Sequence, residues 1–83
     1  MTVTYPVEIH KIDETYWACF PDLRLYIPDQ YSLYSICESA SKKLHEHIQI
    51  LTENCVPIPA PSDIEDIDAN DRFGFVTLIS TEF

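Results

Sequence analysis

Glycine is nearly missing from this chain: Gly74 is the only one in 83 residues. A glycine-rich loop that cradles phosphate by close backbone approach is therefore excluded, and any turn that needs a left-handed residue must be built from something else. Basic residues are scarce as well, 5 Lys and Arg against 14 Asp and Glu, giving a formal net charge of -9. A field of that sign opposes polyphosphate, so DNA and RNA are not expected as direct ligands, whereas a basic protein is favoured. No apolar run approaches the ~18 residues that span a bilayer, and the opening residues carry no basic stretch ahead of an apolar one. Neither a membrane nor export is expected. The cysteines, Cys19, Cys37 and Cys55, are odd in number and unclustered, which fits reduced thiols in a cytoplasm and no disulfide framework.

What the chain does have is apolar content of 46% and aromatic content of 12%, enough for the packed core of one domain over residues 1–83. A domain of this size buries only about 60% of its unfolded surface, so a partner subunit is useful to it.

Tyr5, Val7 and Ile9 alternate with Pro6, Glu8 and His10, the period of a half-buried strand, with Pro6 marking an edge or a strand start. Asp13-Glu14-Thr15 is a polar turn. Tyr16 to Phe20 returns as a second strand bounded by Pro21-Asp22, and Arg24 to Ile27 forms a third that ends at Pro28. The period then changes: Leu33, Ile36, Cys37, Ala40, Leu44, Ile48 and Leu51 fall on one helical stripe, with Ser32 as N-cap and the end before Val56-Pro57. Glu38 and Lys42 have favourable helical spacing. Val56 to Ser62, with three prolines, must be extended and carries the chain back across the sheet. A short helical turn over Ser62–Asp66 and a last strand over Phe73–Thr81 complete an α+β domain, a small antiparallel sheet covered on one face by one long helix. In that last strand Phe73, Phe75 and Ile79 share one face, Val76 and Leu78 the other. One helix covers one face, so the second apolar face points to at least a homodimer through the open face or an edge.

The constellations that bear chemistry are weak. Asp66, Asp68 and Asn70 open like a calcium loop, but Asp71 stands where the turn glycine belongs and Thr77 where the closing glutamate belongs. His45 and His47 are two apart on a helix and hence on different sides, and no two cysteines have zinc-ligand spacing, so no metal and no cofactor are expected. Cys37 sits on the apolar stripe as a small hydrophobe, and His10 beside Glu8 is ordinary surface chemistry. No catalytic residue is assigned, and the chain is not expected to be an enzyme. Of Tyr16 and Trp17, one faces away from the core.

Phe20-Pro21-Asp22-Leu23 after an aromatic strand, a helix opened by Ser32-Leu33 with Ala40 and Leu44, and then Ile58-Pro59-Ala60-Pro61-Ser62 stand in a telling order. Over about Tyr5 to Ser80 this resembles the amino-terminal domain of the HicB-like antitoxins of bacterial type II toxin-antitoxin systems, which neutralise a small RNA-cleaving toxin, HicA. The resemblance implies a β-β-β-α-β fold that is a partial relative of ribonuclease H, assembly into dimers or tetramers, no catalysis, and a HicA-like toxin as partner. Trp17, as an outward anchor, and Asp22 and Asp29, as rim carboxylates, are the toxin-contact candidates. The chain departs from the family's pattern at Arg24-Leu25, where a Pro-Gly pair is usual, so a more regular third strand is expected. It departs also at Ser35-Ile36, which replaces Glu-Ala and removes a reciprocal capping box. No C-terminal DNA-binding domain is expected after Phe83. The second reading is a stand-alone structural or regulatory adaptor of the same fold with another protein partner, and the third is a hydrolase with a non-obvious site.

Overall fold

The structure, a computed structural model, describes residues 1–67 and 74–83. The calcium-like stretch beyond Ile67 and the expected strand onset at Phe73 lie outside the described residues. Strands β1 (Thr2–Ile12), β2 (Thr15–Phe20) and β3 (Leu25–Gln30) are followed by helix α1 (Leu33–Glu53), one 3-10 turn (Ile64–Asp66) and strand β4 (Phe75–Glu82). All pairings are antiparallel, in the order β3-β2-β1-β4. The α+β arrangement read from the sequence is the one observed.

With one glycine available, left-handed positions are filled by Asp13, Arg24 and Cys55. Asp13 makes the two-residue link between β1 and β2, a position that Asp tolerates better than most. Cys55 closes α1: its backbone turns left-handed and the Val56 amide reaches back to the Leu51 carbonyl at 2.9 Å, the arrangement for which Gly is the usual residue. At the other end the Ser32 hydroxyl accepts from the Ser35 amide at 3.0 Å, satisfying one of the unpaired donors of the first turn.

The helix lies on one sheet face. Ile36, Ala40, Leu44 and Ile48 bury against Tyr5, Val7 and Ile9 of β1, Ala18 and Phe20 of β2, and Ile27 of β3. Each fully buried Ile or Leu side chain contributes roughly 1.5–3 kcal/mol by leaving water, so this cluster supplies most of the domain's cohesion. Cys37, on the flank of the stripe, is half-buried, and Leu33 at its start is exposed.

Two strand expectations are corrected. The strand that contains Pro6 is neither an edge nor just beginning there, because β1 starts at Thr2 and has neighbours on both sides. Proline is tolerated because pairing with β2 begins only at Glu8. Met1 and Phe83 exchange both backbone bonds, at 2.9 and 2.8 Å, so odd-numbered β1 residues point their amides at β4 and even-numbered ones away from it. The missing Pro6 donor thus faces the side where β2 has not yet started. The third strand, in turn, does not end at Pro28 and is not regular. Tyr16 pairs with Gln30 and Ala18 with Ile27. Pro28 and Asp29 therefore both stand opposite Trp17, a bulge that suits a residue with no donor on an edge strand.

Residues 56–62 form no helix or strand and are exposed. They are tied down at two points. The Tyr5 hydroxyl donates to the Pro59 carbonyl, and Asp22 accepts from the Ser62 amide at 2.9 Å and hydroxyl at 2.6 Å. Beyond Ser62 the 3-10 turn packs on β4. Because Asp22 follows β2 and β4 is on the other side of β1, the chain crosses β1 between Ser62 and the 3-10 turn, just after the extended proline-rich stretch.

Candidate functional site

Strand alternation puts Glu8 and His10 of β1, Trp17 and Cys19 of β2, Tyr26 of β3, and Val76 and Leu78 of β4 on the face that α1 leaves uncovered. Tyr26 is 56% and Leu78 52% exposed, so apolar surface stays open to solvent here. Tyr16 turns inward and packs against the core, which makes Trp17 the outward member of the pair.

Three rings run across three strands on this face. His10 stacks on Trp17 with centroids 4.2 Å apart and planes 14° apart, and Tyr26 leans toward the other side of Trp17 at 5.5 Å and 35°. The first contact is parallel stacking; the second is wider and wedge-shaped. His10 is not the surface residue its strand position implied: it is 5% exposed, with Nε2 at 3.4 Å from Glu8 Oε1. The signal available in the sequence was the same-face spacing of Glu8 and His10 opposite Trp17, but the hairpin register that brings the rings together had to be seen.

Glu8, Cys19 and Tyr26 form a row of consecutive cross-strand partners. Burial pushes the Cys19 thiol above its ordinary pKa, and the Glu8 carboxylate adds to the effect by disfavouring a second negative charge beside it. Cys19 is therefore held as a neutral thiol and does not present an activated nucleophile.

Of the toxin-contact candidates, Trp17 and Asp29 are brought to the same level of the β2–β3 ladder by the bulge, and Asp29 is exposed there. Asp22 lies past the end of β2, with both carboxylate oxygens engaged by Ser62. Among the described residues, no three His, Cys, Asp or Glu side chains gather as a metal site would require, and no helix is long and apolar enough to cross a membrane. The depression between β3 and α1, lined by Ile27, Pro28, Lys42, Lys43 and Glu46, has a volume of about 200 Å³. That is below the usual range for a small-molecule pocket, whereas a second depression between α1 and β4, lined by Glu38, Ser41, Lys42, His45, Glu46 and Thr81, is larger at about 500 Å³ and falls within it.

No family model matches the chain, and no curated protein matches it in sequence. Solved structures do. A chain of a toxin-antitoxin complex from Streptococcus pneumoniae superposes with a TM-score of 0.86 at 22% identity, over 99% of this chain and 70% of that one. A chain of the HicA3 and HicB3 toxin-antitoxin complex superposes with a TM-score of 0.70 at 23% identity, over 93% of this chain and 95% of that one. The fold is thus one found in toxin-antitoxin complexes.

Proposed function

We propose that this chain is an antitoxin domain that binds and neutralises a small, basic, HicA-like RNA-cleaving toxin. The observation that carries the reading is the likeness of nearly the whole chain to chains of two solved toxin-antitoxin complexes. The open face agrees with it in chemistry. Trp17, Tyr26 and Leu78 supply apolar contact, Glu8 and Asp29 supply negative charge, and the net charge of -9 attracts a basic partner before contact. The chain acts by covering its partner and carries out no reaction of its own.

In this reading Trp17 is the anchor and Asp29 belongs to the rim, while Asp22 contributes to the field and holds the proline-rich segment. The test is co-expression with a small basic toxin encoded beside it. Restored growth and a co-purifying complex are the expected result, with association slowed by salt and dissociation hastened by Trp17→Ala. Loss of both growth rescue and co-purification would transfer the fold to the adaptor reading.

We further propose that the domain works as a homodimer joined along β4. The register directs the amides and carbonyls of Val76, Leu78, Ser80 and Glu82 away from β1, toward an edge with no neighbouring strand among the described residues. Ser41 donates its hydroxyl to the Ser80 carbonyl at 3.3 Å, which leaves Val76 and Leu78 as the open stretch. No charged residue lies between Phe75 and Thr81. Edges that must stay unpaired usually carry charge or proline, as β3 does with Pro28 and Asp29.

A further inference from the structure

Three adjacent strands set a carboxylate, a thiol and a phenol side by side on the face that α1 leaves uncovered. Glu8, Cys19 and Tyr26 are adjacent partners across β1, β2 and β3, so the outer two backbones are about 10 Å apart with the shorter Cys19 side chain between them. Trp17 borders this dip: its outer side diverges from Tyr26 by 35°. Glu8 forms one wall. Among the described residues its one polar partner is His10, through Oε1 at 3.4 Å. One wall is thus a carboxylate and the opposite wall is aromatic, over a floor that burial keeps uncharged.

Charge identifies what fits. Of the described basic residues, Lys11 lies near the Tyr16 ring, which faces the core side. Arg24 is in the turn before β3, and Lys42 and Lys43 are on α1. No described cation faces the dip. A cation placed over Cys19 meets Glu8 on one side and an exposed ring on the other, and each attraction is stronger where water is partly excluded. A guanidinium suits this better than an ammonium: it is planar, it can bridge a carboxylate with two donors, and its weaker hydration lets it lie against a ring.

We infer that the dip bounded by Glu8, Cys19, Tyr26 and Trp17 receives an arginine side chain of a basic protein partner. The inference rests on the open face being the partner-binding face, and it assigns the chemical group that is read there.

Trp17 is the chain's single tryptophan, so its emission reports on this place alone. The probe is the blocked tripeptide acetyl-Gly-Arg-Gly-amide, titrated at low ionic strength beside its citrulline analogue, which has nearly the same shape and no charge. A saturable change in emission is expected with the arginine peptide, with affinity for the citrulline peptide at least ~10-fold weaker. Glu8→Gln and Tyr26→Ala should each weaken arginine binding by roughly 5- to 10-fold, with the helical circular dichroism signal retained. Glu14→Gln, which removes one charge in the exposed β1–β2 turn, should leave it unchanged. Equal response to the two peptides, no saturable response, or a loss in Glu14→Gln matching that in Glu8→Gln overturns the inference. Its failure is separable from failure of the antitoxin reading, because co-purification of the toxin is scored with the unaltered protein and needs no arginine peptide.

Discussion

Asp22 and Ser62, 40 residues apart in sequence, are joined by two hydrogen bonds: Oδ2 accepts from the Ser62 amide at 2.9 Å and Oδ1 from its hydroxyl at 2.6 Å. The carboxylate that follows β2 thereby fixes where the chain, leaving the proline-rich segment, begins to cross β1. Asp22→Ala should lower stability by about 1 kcal/mol, discounted from the value for a buried charged bond because the pair is solvent-exposed, and so lower the melting midpoint by roughly 4–8 °C. Amide exchange should quicken at Ser62 while α1 stays protected. An unchanged midpoint and unchanged exchange would show that the clamp contributes nothing.

Tyr5 holds the same segment from the other side, and burial pushes its phenol above the ordinary value, with Asp22 adding to the shift. The ordinary value is about 10. Because the folded pKa is the higher one, the unfolded chain releases the proton first. The contribution to stability is therefore complete below about pH 10 and is lost as pH rises through the folded value. Tyr5→Phe should be less stable than the unaltered protein at pH 7, by about 1 kcal/mol for the bond to Pro59, and that gap should narrow above pH 10. Melting curves at both pH values decide it; a gap that widens in alkali contradicts the assignment.

Cys55 occupies the left-handed position that ends α1. A side chain there costs roughly 1 kcal/mol, which glycine avoids at the expense of a more flexible unfolded chain. Cys55→Gly should therefore leave the protein as stable or raise its stability by up to about 1 kcal/mol, whereas Cys55→Val should lower it. Urea titrations of the two variants provide the comparison, and a Val variant as stable as the Gly variant would refute the conformational explanation.

Leu78→Pro removes an amide that points away from β1 and so leaves every β1–β4 bond in place. If the homodimer is joined along β4, the substitution should weaken it by at least ~10-fold in sedimentation at tens of micromolar, since symmetry deletes the donor from both copies. The monomer's helical signal should persist. A dimer of unchanged affinity moves the contact elsewhere, and a monomeric unaltered protein removes the proposal.

The helix was legible in the sequence because its signal is local: Ile36, Ala40, Leu44 and Ile48 repeat every four residues, and Ser32 sits at the cap position. The first hairpin was legible for the same reason, with polar Asp13-Glu14 between alternating strands. What the sequence did not disclose depends on distant pairing. Nothing local to Phe75–Glu82 says that it lies beside β1, making β1 an inner strand despite Pro6. The bulge that sets Asp29 level with Trp17 needs the β2–β3 register, and the burial of His10 needs the ring of Trp17 across the hairpin. Alternation alone narrowed the outward ring to Tyr16 or Trp17, and the packing of Tyr16 against the core decided between them. Glu8, Cys19 and Tyr26 become one place only when three strands are laid side by side.

The pairing of Met1 with Phe83 also sets how the domain bears mechanical load. Both ends sit at the same end of adjacent antiparallel strands, so pulling them apart loads the β1–β4 ladder one rung at a time instead of shearing all rungs together. The domain should peel open from that corner at low force, with β4 leaving first while the β1–β2–β3 meander remains paired.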